Sequence, residues 1–170
     1  ITYQYKTIFI HIPKCAGTSI EKILGMGARE DFFSFGRMYQ LNHTDVKREK
    51  FSVEEYPECL AKTPQLQTAK HLKRILPEDV WNSFFKFTVV RNPFSRIVSE
   101  YNHLVDSKVH PNIVTFSDLI DFLHGDKFRR IHRLDGHLET QTSFLLNEGG
   151  AIDPSIKIYK YEEIENCLSD

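Results

Sequence analysis

Two short stretches hold the residues best suited to chemistry. In "FIHIPKCAGTSIEKIL" (9–24), Lys14 stands ahead of a Gly17-Thr18-Ser19 turn that opens a helix. A helix start presents backbone N–H groups without intrahelical acceptors and the positive end of the helix dipole, so a turn placed there is a natural anion seat. Gly17 lets the backbone come close, the Thr18 and Ser19 hydroxyls add donors, and Lys14 adds a mobile positive charge. A plain strand-to-helix turn with an exposed lysine has the same pattern, so the loop alone leaves both readings open. Nucleotide-hydrolysing loops carry their lysine after the glycine, as GxxxxGK[ST], and that order is absent here.

The second stretch is "FKFTVVRNPFSRIVSEY" (85–101), in which Arg91 ends a strand-like run and Ser99 follows two turns into the next helix. Arginine gives bidentate, charge-assisted bonds and the serine hydroxyl a further donor, so the two can grip one phosphate from two sides. Separately, Arg91 also fits a helix-side ion pair and Ser99 a surface hydroxyl. Together the stretches offer two phosphate seats at adjacent strand ends, which suits a ligand phosphorylated at both its 5′ and 3′ positions.

The elements that must position these residues follow from hydrophobic patterning. "KTIFIHI" (6–12) and "FFKFTVV" (84–90) are β-branched and aromatic runs expected to be buried strands, and "IKIYKY" (156–161) is a third strand candidate. Thr18 or Ser19 is expected to open the first helix, with Ile20, Ile23 and Leu24 on its apolar face. Thr68 can cap "AKHLKRIL", which stops before Pro77. Asn92 as cap and Pro93 as first helical residue start "NPFSRIVSEYNHLV" directly from the second strand. Its expected apolar face is Phe94, Ile97, Val98 and Tyr101, with Ser95 and Ser99 on another. "FSDLIDFLHG" reads as a short capped helix, and "RRIHRLDGHLETQTSFLL" as a basic loop running into a helix or strand.

Between 25 and 64 the signals are weak: "DFFSFGRMYQL" fits a strand or packed loop, "DVKREKFSVEEYPE" looks solvated, and substrate-facing structure is expected there. Strands alternating with helices predict an α/β fold, a three-layer sandwich with a central parallel sheet. Ligands of such sheets bind at the strands' carboxyl ends.

The 170 residues suit a single domain spanning 1–170. Hydrophobic residues at 41% and a net charge of −1 fit a globular protein and give no sign of a nucleic-acid binder. No apolar run reaches the roughly 20 residues of a membrane span. No signal segment opens the chain, although a start at Ile1 leaves room for an anchor or targeting segment ahead of it. Cys15, Cys59 and Cys167 are odd in number and lack metal-ligand spacing, which argues against a disulfide framework or zinc site and mildly favours a reducing compartment. The histidines at 43, 103, 110, 124 and 132 show no metal-ligand pattern, and the Asn42 glycosylation triplet is close to chance.

The two stretches resemble the 5′-phosphosulfate loop and the 3′-phosphate motif of sulfotransferases that use 3′-phosphoadenosine 5′-phosphosulfate (PAPS). The similarity is closer to the carbohydrate branch, which includes the Golgi heparan sulfate and chondroitin enzymes and their bacterial relatives, and it covers residues 6–161. "DGHLETQ" (135–141) is similar to the Asp-x-His-Trp-x-Pro-Gln stretch of that branch, with Leu138 and Thr140 replacing the Trp and Pro.

The resemblance implies a P-loop NTPase-like fold and a single sulfotransferase-like domain lacking the C-terminal part of the family domain. It places Lys14, Cys15, Ala16, Gly17, Thr18 and Ser19 on the 5′-phosphosulfate and Arg91 and Ser99 on the 3′-phosphate. PAPS would be the sulfuryl donor, with no metal, and a carbohydrate hydroxyl the acceptor. Either the cytoplasm of a bacterium or the Golgi lumen would suit such a protein.

In sulfuryl transfer an acceptor hydroxyl attacks in line and negative charge grows on the departing oxygen, a charge that Lys14 could stabilise. The acceptor also needs a base. Many bacterial relatives carry a histidine two residues before a Thr-Ala pair; here the pair is Thr68-Ala69 and the position is Leu66, which cannot accept a proton.

His71 on the same helix and His137 in the third motif are the candidate substitutes, with Gln141 beside His137 as an acceptor contact. His71 also reads as a solvated or capping residue, His137 as an ordinary loop histidine, and His11 as a packed strand histidine. Arg129, Arg130 and Arg133, with Lys70, Lys73 and Arg74, either attract an anionic glycan or form a solvated face. Two other readings stay open: a non-catalytic PAPS-binding module, motivated by Leu66, and a P-loop small-molecule kinase, disfavoured because no Walker-B-like strand follows to organise magnesium.

Overall fold

Three hydrophobic runs far apart in the chain meet as one parallel sheet in the computed structural model, which describes residues 1–2, 4–25, 67–108, 112–124 and 136–165. The strands are β1 (Thr7–Ile10), β2 (Phe85–Val90) and β3 (Ile156–Lys160), with β2 in the middle. Phe9 lies opposite Phe87, and Val89 opposite Tyr159. Neighbouring residues of a strand point to opposite faces, yet all of β1 and Lys86 to Val89 of β2 are buried. β1 and β2 are therefore covered on both sides, as parallel strands are in α/β proteins, while Lys157, Ile158 and Lys160 of the edge strand β3 are exposed. Aromatic rings run across it, with Phe9 and Phe87 centred 5.0 Å apart and Phe87 and Tyr159 6.0 Å apart edge-on.

The described helices are α1 (Gly17–Ile23), α2 (Ala69–Ile75), α3 (Glu78–Ser83), α4 (Pro93–Ser107) and α5 (Phe116–His124). Ile20 of α1, Leu72 and Ile75 of α2 and Val80 and Trp81 of α3 join the strands in the larger core. Leu104 of α4 and Leu119 of α5 centre a second cluster.

Capping follows the local chemistry. Thr68 Oγ1 accepts from the His71 N–H at 3.2 Å, and Asn92 Oδ1 accepts from the Phe94 and Ser95 amides. Thr115 and Asp118 bond reciprocally at the start of α5, forming a capping box.

Several expectations are corrected. Helix α1 begins at Gly17 rather than Thr18 or Ser19, with Ala16 as its cap in a left-handed conformation (φ 65°). Ile23 is 62% exposed, because the buried stripe of α1 is Gly17, Ile20 and Glu21, drawn inward by the bond between Glu21 and His11. On α4, Phe94 (81% exposed) and Val98 (48%) leave the core. The stripe that turns inward instead holds Glu100 and Leu104, flanked by Ile97 and Tyr101. Charged groups with internal partners set the rotation of α4, and hydropathy alone does not detect them.

Helix α3 has no counterpart among the expected elements; its signal is the acidic Glu78-Asp79 first turn after Pro77. The lysine inside the second strand run is also accounted for. Lys86 is buried, and its ammonium donates to the carbonyls of Trp81 and Phe84 at 2.6 and 2.8 Å, closing the end of α3. In the third motif, residues 136–138 form a helical turn, followed by a 3₁₀ turn at Thr142–Phe144. Leu66, the segment 26–66 with Asn42, His43 and Cys59, His110, Arg129, Arg130, His132, Arg133, Asp135 and Cys167 lie outside the described residues.

Candidate functional site

The carboxyl ends of all three strands converge on Arg91. Beyond β1 runs the loop of Lys14, beyond β2 comes Arg91 itself, and beyond β3 stand Tyr161 and Glu162. Arg91 Nη1 donates to the Lys14 carbonyl at 3.2 Å, and its guanidinium lies 4.3 Å from the centre of the Tyr161 ring. The Glu162 carboxylate accepts from the next amide, that of Asn92, at 2.8 Å. Arg91 Nε is buried without a hydrogen-bond partner among the described residues, a donor that none of them satisfies.

The Lys14 loop is held in an uncommon backbone shape. Lys14 and Ala16 both have left-handed conformations (φ 64° and 65°). Such turns gather successive N–H groups on one side, and each left-handed non-glycine residue costs roughly 1–2 kcal/mol. The Ala16 carbonyl takes the Ser19 and Ile20 amides, which leaves those of Gly17 and Thr18 without acceptors among the described residues. Thr18 and Ser19 are exposed.

Gly17 is required for a reason beyond ligand approach, since a Cβ there would fall within the ring of His11. His11 is itself held by Glu21 at 2.7 Å, packed and hydrogen-bonded as expected but one residue past the end of β1 rather than on the strand. Burial pushes the Cys15 thiol up to about 11 against the nearby Arg96 and Arg91 charges, so Cys15 offers the loop its backbone and not a thiolate.

Gln141 and Arg96 tie the third motif to this loop. The Gln141 side chain accepts from the Arg91 N–H at 2.8 Å, donates to the Arg91 carbonyl at 2.8 Å, and takes the Cys15 thiol at 3.4 Å. Arg96 donates to three carbonyls, those of Pro13 (3.0 Å), Glu139 (2.9 Å) and His137 (2.6 Å). Gln141 thus braces the loop rather than being free to meet an acceptor. Arg96 escaped the sequence reading, because its three partners are distant in the chain and no local pattern marks it.

Along α4, Arg91, Phe94, Ser95, Val98, Ser99 and Asn102 line an open cleft of about 470 Å³. Arg91 and Ser99 are therefore brought to one concavity, and the two apolar side chains that left the core form its wall.

Behind the cleft, Glu100 is buried and holds His137 Nδ1 with both carboxylate oxygens, at 3.0 and 3.2 Å. The His103 ring stacks on His137, with centroids 5.8 Å apart and planes 18° from parallel. Burial works against ionisation of Glu100. The hydrogen bond and charge of His137, with the charges of Lys14 and His103, outweigh it and hold the carboxyl below its ordinary range. Burial lowers the pKa of Lys14 from its usual 10.5; Glu100 opposes this and Arg91 adds to it. His103 is lowered by burial and then by Lys14.

His71 is not part of this assembly. Its side chain has no hydrogen bond or ion pair among the described residues, and only its backbone amide is engaged, in the α2 cap. Lys70 and Arg74 pair with Glu148 at 2.8 and 2.7 Å on the surface, which fits the solvated-face reading. Among the described residues no group of three His, Cys, Asp or Glu could hold a metal, and no helix is long and apolar enough to cross a membrane.

Fold and site together define an α/β protein whose basic groups gather where its parallel strands end. The sulfotransferase family model matches residues 1–166, and the chain belongs to that family, whose members transfer sulfuryl groups. No curated protein and no solved structure matches the chain.

Proposed function

We propose that the protein transfers a sulfuryl group from PAPS to a hydroxyl of a carbohydrate acceptor by in-line displacement. The bond from Arg91 to the Lys14 carbonyl carries this reading, because it makes one site of two motifs whose chemistry suits the two ends of the donor. Lys14 and the backbone of Cys15, Ala16 and Gly17, with the Thr18 and Ser19 hydroxyls, would hold the 5′-phosphosulfate. Arg91, whose Nε has no partner among the described residues, and Ser99 would hold the 3′-phosphate. Phe94 and Val98 give the cleft an apolar wall of the kind a nucleobase packs against.

Lys14 would meet the charge that develops on the departing oxygen, the point in the reaction where a preorganised cation contributes most. His137 would receive the acceptor's proton. The carbohydrate class of the acceptor rests on the resemblance of the three motifs to that branch.

The test compares binding of the 3′,5′-diphosphate product with that of ATP plus magnesium, then follows radiolabelled sulfate from PAPS into a panel of sugars. Tight diphosphate binding and label on a sugar are expected. Preference for ATP would point to a kinase, and diphosphate binding without transfer to any sugar would point to a non-catalytic module.

A further inference from the structure

We propose that Glu100 is the positioning residue that holds His137 with Nε2 free to take the proton of the attacking hydroxyl. The assignment rests on the sulfuryl-transfer reading above and deepens it.

A buried carboxylate in an amphipathic helix is costly unless it is paired, because several kcal/mol of hydration are lost per ion. Glu100 has only 1% of its side chain exposed, against 28% for His137. An ionised carboxylate accepts and cannot donate, so with both oxygens on Nδ1 that nitrogen carries the hydrogen. In the neutral ring the lone pair then lies on Nε2, the state a general base requires.

The ring is fixed in two further ways: His103 stacks on its face, and Arg96 holds its carbonyl at 2.6 Å and that of Glu139 at 2.9 Å. Glu100 directly follows Ser99, and its charge acts on Lys14. The pair therefore joins α4 to the third motif within electrostatic reach of Lys14, and supplies what Leu66 cannot. Among the described residues the ionisable groups around His137 are Glu100 and His103 on α4, with Arg96 on the same helix at its carbonyl; Lys14 acts on Glu100 and His103 from the loop, and Asp106 acts on both Lys14 and His103.

In the step itself the acceptor oxygen forms a bond to sulfur. The bond from sulfur to the 5′-phosphate oxygen breaks with its electron pair leaving on that oxygen. The hydroxyl proton moves to His137 Nε2 and then to solvent.

The experiment uses the whole chain and reads three quantities: diphosphate affinity by calorimetry, turnover with saturating PAPS and acceptor, and the ring tautomer by ¹⁵N–¹H correlation. Wild type should show His137 protonated at Nδ1. Glu100→Gln can also donate to Nδ1, so the tautomer preference should vanish and turnover fall roughly 10²-fold or more, with diphosphate affinity close to wild type. His137→Gln should lose as much, and Glu100→Asp should recover part.

Wild-type protonation at Nε2, or a folded Glu100→Gln with full turnover, overturns the assignment while leaving the sulfotransferase reading intact. If Glu100→Gln does not fold, the wild-type tautomer and Glu100→Asp still decide it. A wild type that transfers no sulfuryl group overturns the underlying reading and the proposal with it.

Discussion

Gln141 pairs its side-chain amide with both backbone polar groups of Arg91, accepting at 2.8 Å and donating at 2.8 Å, as a neighbouring strand would. The pairing extends the ladder of β2 by one residue at the point where the strand ends. Gln141→Leu would leave an N–H and a carbonyl without their partner. It should lower the unfolding free energy in urea by roughly 1–3 kcal/mol and weaken diphosphate binding, as Arg91 loses its fixed place. Unchanged stability would mean that water replaces the amide without loss.

Gly17 and Ala16 make opposite predictions one residue apart. Gly17→Ala puts a methyl where the His11 ring sits and must break the His11–Glu21 pair, at a cost of about 1–3 kcal/mol. Ala16→Gly relieves a left-handed alanine and should be neutral to stabilising by up to about 1 kcal/mol. Thermal or urea unfolding of both variants checks the pair, and equal effects would contradict it.

Lys14→Ala separates transition-state stabilisation from binding. If Lys14 meets charge that appears only as the donor bond breaks, turnover should fall by roughly 10²-fold or more. Affinity for the diphosphate product should fall much less. Equal losses in the two measurements would make Lys14 a binding group alone.

Acid stability reports the Glu100 pair. Its carboxyl is held below the ordinary value of 4.5, so the folded state releases this proton more readily than the unfolded chain. The resulting stabilisation is present above the unfolded value and is lost as pH falls toward and through the lower folded value. Wild type should therefore weaken below about pH 4.5, and Glu100→Gln should show a shallower acid limb. The slope is the quantity to compare, since the variant also changes packing.

The three strands, the Asn92-Pro93 helix start and the Thr68 cap were legible because each depends on local chemistry: β-branched runs, a side-chain acceptor, a fixed proline φ. The two motifs were legible as motifs because spacing alone brings them to strand ends. The rotation of α4 was not. Phe94 and Val98 have core spacing, but Arg96 and Glu100 find partners more than forty and nearly forty residues away, at Glu139, His137 and Pro13, and these long-range bonds decide which face turns inward. Gly17's contact with His11 was hidden for the same reason, since a strand ring and a helix start meet only after the turn has closed.

The central place of β2 also bears on how the protein can diversify. On the way from β1 to β2 about 45 residues of chain separate α1 from α2, and by chain entropy alone doubling such a connection costs only about 0.6 kcal/mol. The groups at the strand ends are braced by Arg91, Arg96 and Gln141 from outside that connection. Insertions and deletions between α1 and α2 can therefore be tried at small thermodynamic expense, while one unchanged set of strand-end residues serves successive versions of the intervening chain.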